Sequence, residues 1–392
     1  MNKMTIQSLT LAMIFATSTL YAQDTITKKA VEKYEFTVTQ SSKATPVKDQ
    51  YRSGTCWSFG ATSYIESELM RLGAGEFDLS EMYFVNLAYR EKAERYIRLH
   101  GNSTFGPGGQ AHDVVNVIKK HGMVTEKDYP GIVPGETSHN HGELNAVLEG
   151  FLKGVLSSRS GKLSKAWYPA YTGILDAYLG PLPTNTVIKN VKGFNPDDYI
   201  EITSYLHHPF YTWVNLELPD NWSQDKYFNL PLDEMISLIF DALENGYTIC
   251  WDGDVSDKGF SHSNGVAILP EKDLKSLDGS ELSKWEALSE KDKNAALYSF
   301  DTPGKEKTIT QEIRQEAFDG HSSTDDHLMH LTGIAKDQRG TRYLITKNSW
   351  AANSNKTGGY LNISEAYARL NTIAIMVHKD ALPENIRKRM QN

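Results

Sequence analysis

Residues 49–59 read Asp49-Gln50-Tyr51-Arg52-Ser53-Gly54-Thr55-Cys56-Trp57-Ser58-Phe59. A loop containing Gly54 delivers a cysteine to the first turn of a long helix. Trp57, Ala61, Ile65, Leu69 and Leu72 recur every three to four residues and describe one buried face, and Gly73 supplies a stop. A cysteine at that position meets the positive end of the helix dipole, which favours the thiolate, the attacking species in nucleophilic catalysis. Gln50 lies upstream, far enough for the loop to fold back. Its amide and the Cys56 backbone N–H can then donate together to the oxyanion of a tetrahedral intermediate. A lone cysteine at a helix start would simply pack; the flanking Gln, Gly and Trp point to chemistry.

A nucleophile of this kind needs a base from elsewhere in the chain. Asp326-His327-Leu328-Met329-His330-Leu331-Thr332-Gly333 opens a strand, and Asp337-Gln338-Arg339-Gly340 is a turn. The next strand, 341–347, leads into Asn348-Ser349-Trp350. In a hairpin, His327 and Asn348 are nearly equidistant from the turn and end side by side as cross-strand neighbours. Asn348 then holds the imidazole by its second nitrogen, and Trp350 shields that bond from water. His330 competes for the role, but an odd step separates it from His327, so it faces the other side as a structural histidine.

Working outward, a short lead-in (Tyr34 to Val38) alternates as a strand would, and a second helix opens at Leu79-Ser80-Glu81 with Ser80 as cap. Phe105-Gly106-Pro107-Gly108-Gly109-Gln110 lacks the signature of a phosphate loop or a dinucleotide fingerprint. Gly108 and Gly109 are read as letting backbone approach an extended substrate, and a plain loop fits equally well. A third helix follows, ending at His121-Gly122. Residues 150–230, aromatic-rich with several prolines, read as an inserted region of helices and loops. Residues 231–244 read as a helix, and segments at 247–251, 265–269, 329–335 and 341–346 as strands. The organisation expected is a leader at 1–22, a helical lobe at 23–245 carrying the insertion, and a β-rich lobe at 246–392 with a C-terminal helix. The fold class is α+β, with a cleft between lobes as the natural place for a site.

Composition narrows the function further. The 392 residues are 40% hydrophobic and 23% charged, with a formal charge of −8, which leaves no electrostatic footprint for nucleic acid. Lys3, the apolar run from Leu9 to Phe15, and Leu20-Tyr21-Ala22-Gln23 form the pattern of a secretory signal, so an exported, periplasmic or secreted protein without a membrane span is expected. Of the two cysteines, Cys56 must stay free if it is a nucleophile, whatever Cys250 does. His139-Asn140-His141 and His207-His208 read as surface histidines, without further ligands at zinc spacing, so no catalytic metal and no cofactor is expected. Asp252, Asp254 and Asp257 are spaced like a calcium loop but lack its downstream Glu, and a solvated turn is the better reading.

With these residues in view, the chain resembles the papain-like cysteine peptidases, in particular the bleomycin hydrolase or aminopeptidase C branch. The motifs that carry the likeness are 50–59, Leu79-Ser80-Glu81, Gly108-Gly109-Gln110, 327–333, Lys347-Asn348-Ser349-Trp350, and the segment from Cys250 to Val255. Ser53 stands where papain-like signatures usually carry a disulfide-forming cysteine, and only a short segment separates the leader from Gln50; both features favour the branch. The resemblance implies a papain-like two-lobe fold with a helical N-terminal lobe and a β-barrel-like C-terminal lobe. It implies a Cys56-His327-Asn348 site acting through a thioester acyl-enzyme on peptide or protein substrates, and a homo-oligomer, a hexamer in that branch. The branch's C-terminal arm, which imposes aminopeptidase action, has no counterpart before Asn392. An endopeptidase with an open cleft therefore stands beside the aminopeptidase reading. An acyltransferase and an inactive peptide-binding homologue complete the alternatives.

Overall fold

The computed structural model describes residues 33–390 apart from 134, 159–161, 273 and 299, so the leader expected at 1–22 lies outside the described residues. The chain begins with β1 (Thr37–Ser41) and continues through α1 (Cys56–Arg71), α2 (Glu81–Arg98), α3 (Ala111–His121), α4 (Gly142–Leu156) and α5 (Trp167–Leu179). Three short strands follow, β2 (Tyr199–Thr203), β3 (Trp213–Val214) and β4 (Tyr227–Asn229), and then α6 (Leu232–Glu244). Next come β5 (Ile249–Gly253), β6 (Phe260–Ser261) and β7 (Val266–Ala267), with α7 (Gly279–Glu286), α8 (Glu290–Leu297) and α9 (Gln311–Asp319). The chain closes with β8 (His327–Lys336), β9 (Arg342–Lys347), β10 (Tyr360–Ser364), α10 (Glu365–Asn371), β11 (Thr372–His378) and α11 (Glu384–Met390).

Local chemistry explains the helix starts. Ser80 accepts from the Tyr83 amide at 3.0 Å and so caps α2. Gln110 and Asp113 form a reciprocal capping box that opens α3. Apolar faces then sort into two main cores. One joins α1 to α5 with Cys250, Leu328 and Met376, and the other packs α6 and α10 on the sheet through Ile239, Trp251, Met329 and Ile375. Burial of such faces, at about 25 cal/mol per Å² of apolar surface, is the main favourable term holding each together.

Eleven strands among the described residues form one mixed sheet in the order β3-β4-β2-β11-β5-β8-β9-β10-β7-β6, with β1 added beside β8. The architecture is α+β, the class expected. The expectation for 150–230 needs correction, since its part from Tyr199 onward supplies β2, β3 and β4 to one end of the sheet. β2 pairs antiparallel with β11, from Thr203 opposite Ala374 to Tyr199 opposite His378, so its partner lies at the far end of the chain. The lead-in also differs: the strand starts at Thr37, while Tyr34 and Phe36 pack against the Tyr343 ring.

α1 lies directly on the sheet. A Cβ on Gly60 would stand 2.9 Å from the Leu328 backbone, so helix and strand touch main chain to main chain at that point. No helix among the described residues is long and apolar enough to cross a membrane.

Candidate active site

Cys56 is the first residue of α1, and the loop before it is tightly determined. Ser53 Oγ accepts from the Thr55 amide at 3.2 Å and from the Thr55 hydroxyl at 2.6 Å. Gly54 takes φ of +69° and sits where a Cβ would press within 2.9 Å of Pro107, so a glycine is needed on both counts. Trp57 Nε1 donates to the Pro107 carbonyl at 2.9 Å, which joins the head of α1 to the Gly108-Gly109 loop. Gly109 in turn lies against the Trp57 ring. Cys56 is half-buried, and its Sγ faces the Asp326 carbonyl at 4.0 Å, one residue before His327. Both cysteines are free thiols, and Cys250 is fully buried.

His327 and Asn348 meet: Nε2 and Oδ1 are 2.8 Å apart. The Ser349 amide donates to the same oxygen at 2.7 Å, which fixes the amide's orientation. An oxygen acceptor on Nε2 puts the imidazole proton there and leaves the Nδ1 lone pair free. The Trp350 ring lies 4.8 Å from the His327 ring, tilted by 32°, as a cover. The route to this contact differs from a simple cross-strand pair. A bulge between Leu331 and Gly333 shifts the register, and pairing of β8 with β9 ends at His330 opposite Lys347. His327 therefore reaches Asn348 beyond the paired region, where the chain has left β9 and Asn348 donates its amide to Gly359.

The two histidines fall on opposite faces of β8. His330, across from Cys250, turns toward α1, where its Nδ1 stands 2.9 Å from Ser63 Oγ. The Lys347 ammonium reaches the same hydroxyl at 2.7 Å. Gln50 is pinned by the segment after Asn348: its amide donates to the Ser349 carbonyl at 2.8 Å, and Ser349 Oγ donates to its Oε1 at 2.7 Å. The side-chain amide nitrogen is the end left to donate elsewhere.

One contact was not legible in the sequence. Asn348 Nδ2 faces His262 Nδ1 at 3.3 Å, His262 Nε2 lies 2.7 Å from Ser354 Oγ, and the His262 ring stands 4.9 Å from that of Trp350. Ser261-His262-Ser263-Asn264 resembles any polar turn, and nothing local signals its tertiary partner.

Burial pushes the Cys56 thiol up to about 12; the Leu328 backbone amide opposes the shift, and the Asp325, Asp252 and Asp220 carboxylates add to it. Burial also brings the His327 imidazole down to about 4, against its bond to Asn348 and with His262 adding to the fall. Both shifts act toward the neutral thiol and neutral imidazole, so desolvation opposes the helix-end preference for a thiolate.

Three other sequence readings change. His141 is 5% exposed, and burial lowers its imidazole to about 4, so it is a core histidine beside His139 rather than a surface one. His207 and His208 do acquire a third polar partner, since Glu217 Oε2 lies 3.2 and 3.0 Å from their Nε2 atoms. Gln315 Nε2, however, donates to His207 Nδ1 at 2.9 Å, which places the ring proton on Nε2 toward the carboxylate, the arrangement of a hydrogen-bonded pair. Asp252 and Asp254 are buried instead of solvated: Asp252 lies within β5, and Asp254 accepts from the Ser256, Asp257 and Thr324 amides.

A family model described as papain family cysteine protease matches residues 32–149, and one described as peptidase C1-like family matches 180–392. Bleomycin hydrolase of Homo sapiens is 21% identical over 419 aligned residues, covering 92% of this chain and 85% of that protein. Cysteine proteinase 2 of Entamoeba histolytica is 29% identical over 117 residues, covering 29% of this chain and 34% of the relative. The mitochondrial cysteine proteinase 1 of Saccharomyces cerevisiae is 32% identical over 120 residues, 26% of this chain and 25% of the relative. The chain thus matches about a third of the length of the former and a quarter of the latter. The crystal structure of PepW from Lactobacillus rhamnosis HN001 superposes with a TM-score of 0.68 at 21% identity, covering 91% of this chain and 85% of that one.

Proposed function

Since the peptidase C1-like match takes in more than half of its length, the chain belongs to that family, and from this premise we propose that it is a cysteine peptidase hydrolysing peptide bonds through an acyl-enzyme on Cys56. The observation that carries the reading is the 2.8 Å bond between His327 and Asn348, next to a thiol at the head of α1. The Cys56 sulfur attacks the substrate carbonyl carbon while its proton passes to Nδ1 of His327. The oxyanion that forms is received by the Cys56 backbone N–H and the Gln50 side-chain amide, donors held in place before the reaction begins. His327 returns the proton to the leaving amine, the C–N bond breaks, and a thioester remains. Water then attacks the thioester, His327 takes the water's proton and gives it back to sulfur, and the carboxylic acid product leaves.

Incubation with iodoacetamide or an E-64-type reagent, followed by peptide mass mapping, tests the nucleophile. Alkylation at Cys56 with loss of peptide cleavage is the expected result, and cleavage that survives full alkylation rules the mechanism out. The finer reading is aminopeptidase C-like action. Mapping the new termini in a digested peptide mixture separates it from endopeptidase cleavage. The leader-like pattern at 1–22 extends the proposal to an exported enzyme. Recovery of the full-length chain only from the cytoplasmic fraction would count against that.

A further inference from the structure

The site is bordered by carboxylates that the mechanism does not use. Along β5, Cys250 belongs to the core beneath α1, so Asp252, two residues on, projects to the same side, across the strand pair from Leu328. Asp252 is 3% exposed, and no N–H or hydroxyl donates to either of its oxygens; its polar partner is the Asp325 carboxyl. Asp325 stands just before the residue whose carbonyl faces the Cys56 sulfur. Gln110 Nε2 donates to Asp325 Oδ2 at 2.6 Å; Gln110 is itself 1% exposed, and its Oε1 is an unpartnered acceptor fixed beside the same carboxylate. Asp220 fills the space that a Cβ on Gly108 would occupy.

Among the described residues no ion pair links Asp220, Asp252 or Asp325 to a cation. The buried ammonium of Lys92 acts on Asp220 and Asp113, but its hydrogen bonds go to the carbonyls of Gly106 and Gly108. Desolvating carboxylates that lack a cation costs several kcal/mol, and a carboxyl cluster beside the free Gln110 acceptor is complemented by a cation rich in N–H donors.

We propose that Asp252, Asp325 and Asp220, with Gln110, form an acidic subsite beside Cys56 for a substrate's ammonium or guanidinium group; the peptidase reading above enters only in making the carrier of that cation a peptide. Burial and neighbouring carboxylates hold the Asp252 carboxyl far above its usual range, and Asp325 is pushed up to about 7. The same three carboxylates oppose ionisation of the Cys56 thiol. A bound cation favours the ionised carboxylates, and their protons leave to solvent.

The cation has two possible carriers, the terminal ammonium of a peptide or a Lys or Arg side chain. Calorimetric titration of the full chain with four probes distinguishes them: arginine amide, leucine amide, acetyl-arginine amide and acetyl-leucine amide. Charged probes are expected to bind at least about tenfold tighter than acetyl-leucine amide, with heats that depend on buffer ionisation, a ratio equivalent to 1.4 kcal/mol. Affinity that follows leucine amide assigns the subsite to a peptide's terminal ammonium, and affinity that follows acetyl-arginine amide assigns it to a basic side chain. Asp252→Asn and Asp325→Asn are each expected to reduce the preference; the second keeps the acceptor for Gln110 and so protects the fold. Equal affinity for charged and neutral probes in the unaltered protein overturns the proposal. Because binding is read without turnover, a protein that holds these cations yet cleaves no peptide would overturn the peptidase reading and support the subsite.

Discussion

Asn348 Oδ1 accepts the Nε2 proton of His327 at 2.8 Å in a single amide orientation, because the Ser349 amide N–H donates to that oxygen as well. The imidazole is thereby fixed in one tautomer, with Nδ1 as its only basic nitrogen. Asn348→Ala is expected to lower kcat/KM by roughly 10–100-fold, the usual cost of losing a partner that orients a functional histidine. Steady-state kinetics on a peptide substrate read this directly, and a loss of less than twofold would remove Asn348 from the site.

His262 sits on the other end of the same amide. His262→Ala deletes an acceptor for Asn348 Nδ2, worth about 0.5–1.5 kcal/mol, so kcat/KM should drop about 2–10-fold. His262 also contributes to the depressed pKa of His327. Its removal should therefore move the acid limb of the Cys56 alkylation rate to higher pH. An unmoved limb would argue that the two rings are electrostatically independent.

The contact between α1 and β8 has no slack. Gly60→Ala places a Cβ 2.9 Å from the Leu328 carbonyl carbon and oxygen, atoms that cannot swing aside. Overpacking of this kind costs about 1–3 kcal/mol. Equilibrium urea unfolding should show that loss, together with reduced activity at temperatures where the variant is still folded, since Cys56 and His327 lie on the two elements forced apart.

The Asp325 carboxyl is pushed up to about 7, first by burial and then by Asp220, against an ordinary value of 3.8. Between those two values the folded chain holds a proton that the unfolded chain has lost, so this group's stabilising influence is complete below pH 3.8 and gone once the pH has passed 7. Asp325→Asn should therefore raise Tm relative to the unaltered protein at pH 8, with the gain vanishing by about pH 4. Calorimetric scans at the two pH values check the sign, and a gain confined to acid would refute the assignment.

Much of this was readable from local pattern. The periodicity after Cys56 and the cap at Ser80 are set by neighbours within a few residues, and the turn between β8 and β9 brings His327 and Asn348, 21 positions apart, to the same end. Alternation along β8 was enough to separate His327 from His330. What escaped depends on partners remote in sequence. The five residues of β2 are too few to declare a strand without β11 beside them. Asp252 looks solvated until β8 and α1 bury it. The preference for a thiolate at a helix end was sound physics applied without knowledge of the desolvation that opposes it.

The loop ahead of the nucleophile is stitched to the segment after Asn348: Asp49 bridges Trp350, Ala351 donates to Lys48 at 3.1 Å, and Gln50 is gripped by Ser349, 299 positions away. During synthesis the thiol leaves the ribosome early, and the segment that grips its loop emerges some 299 positions after Gln50. A nascent chain thus carries a thiol whose loop has nothing to hold it, and the site assembles only once the segment after Asn348 has emerged.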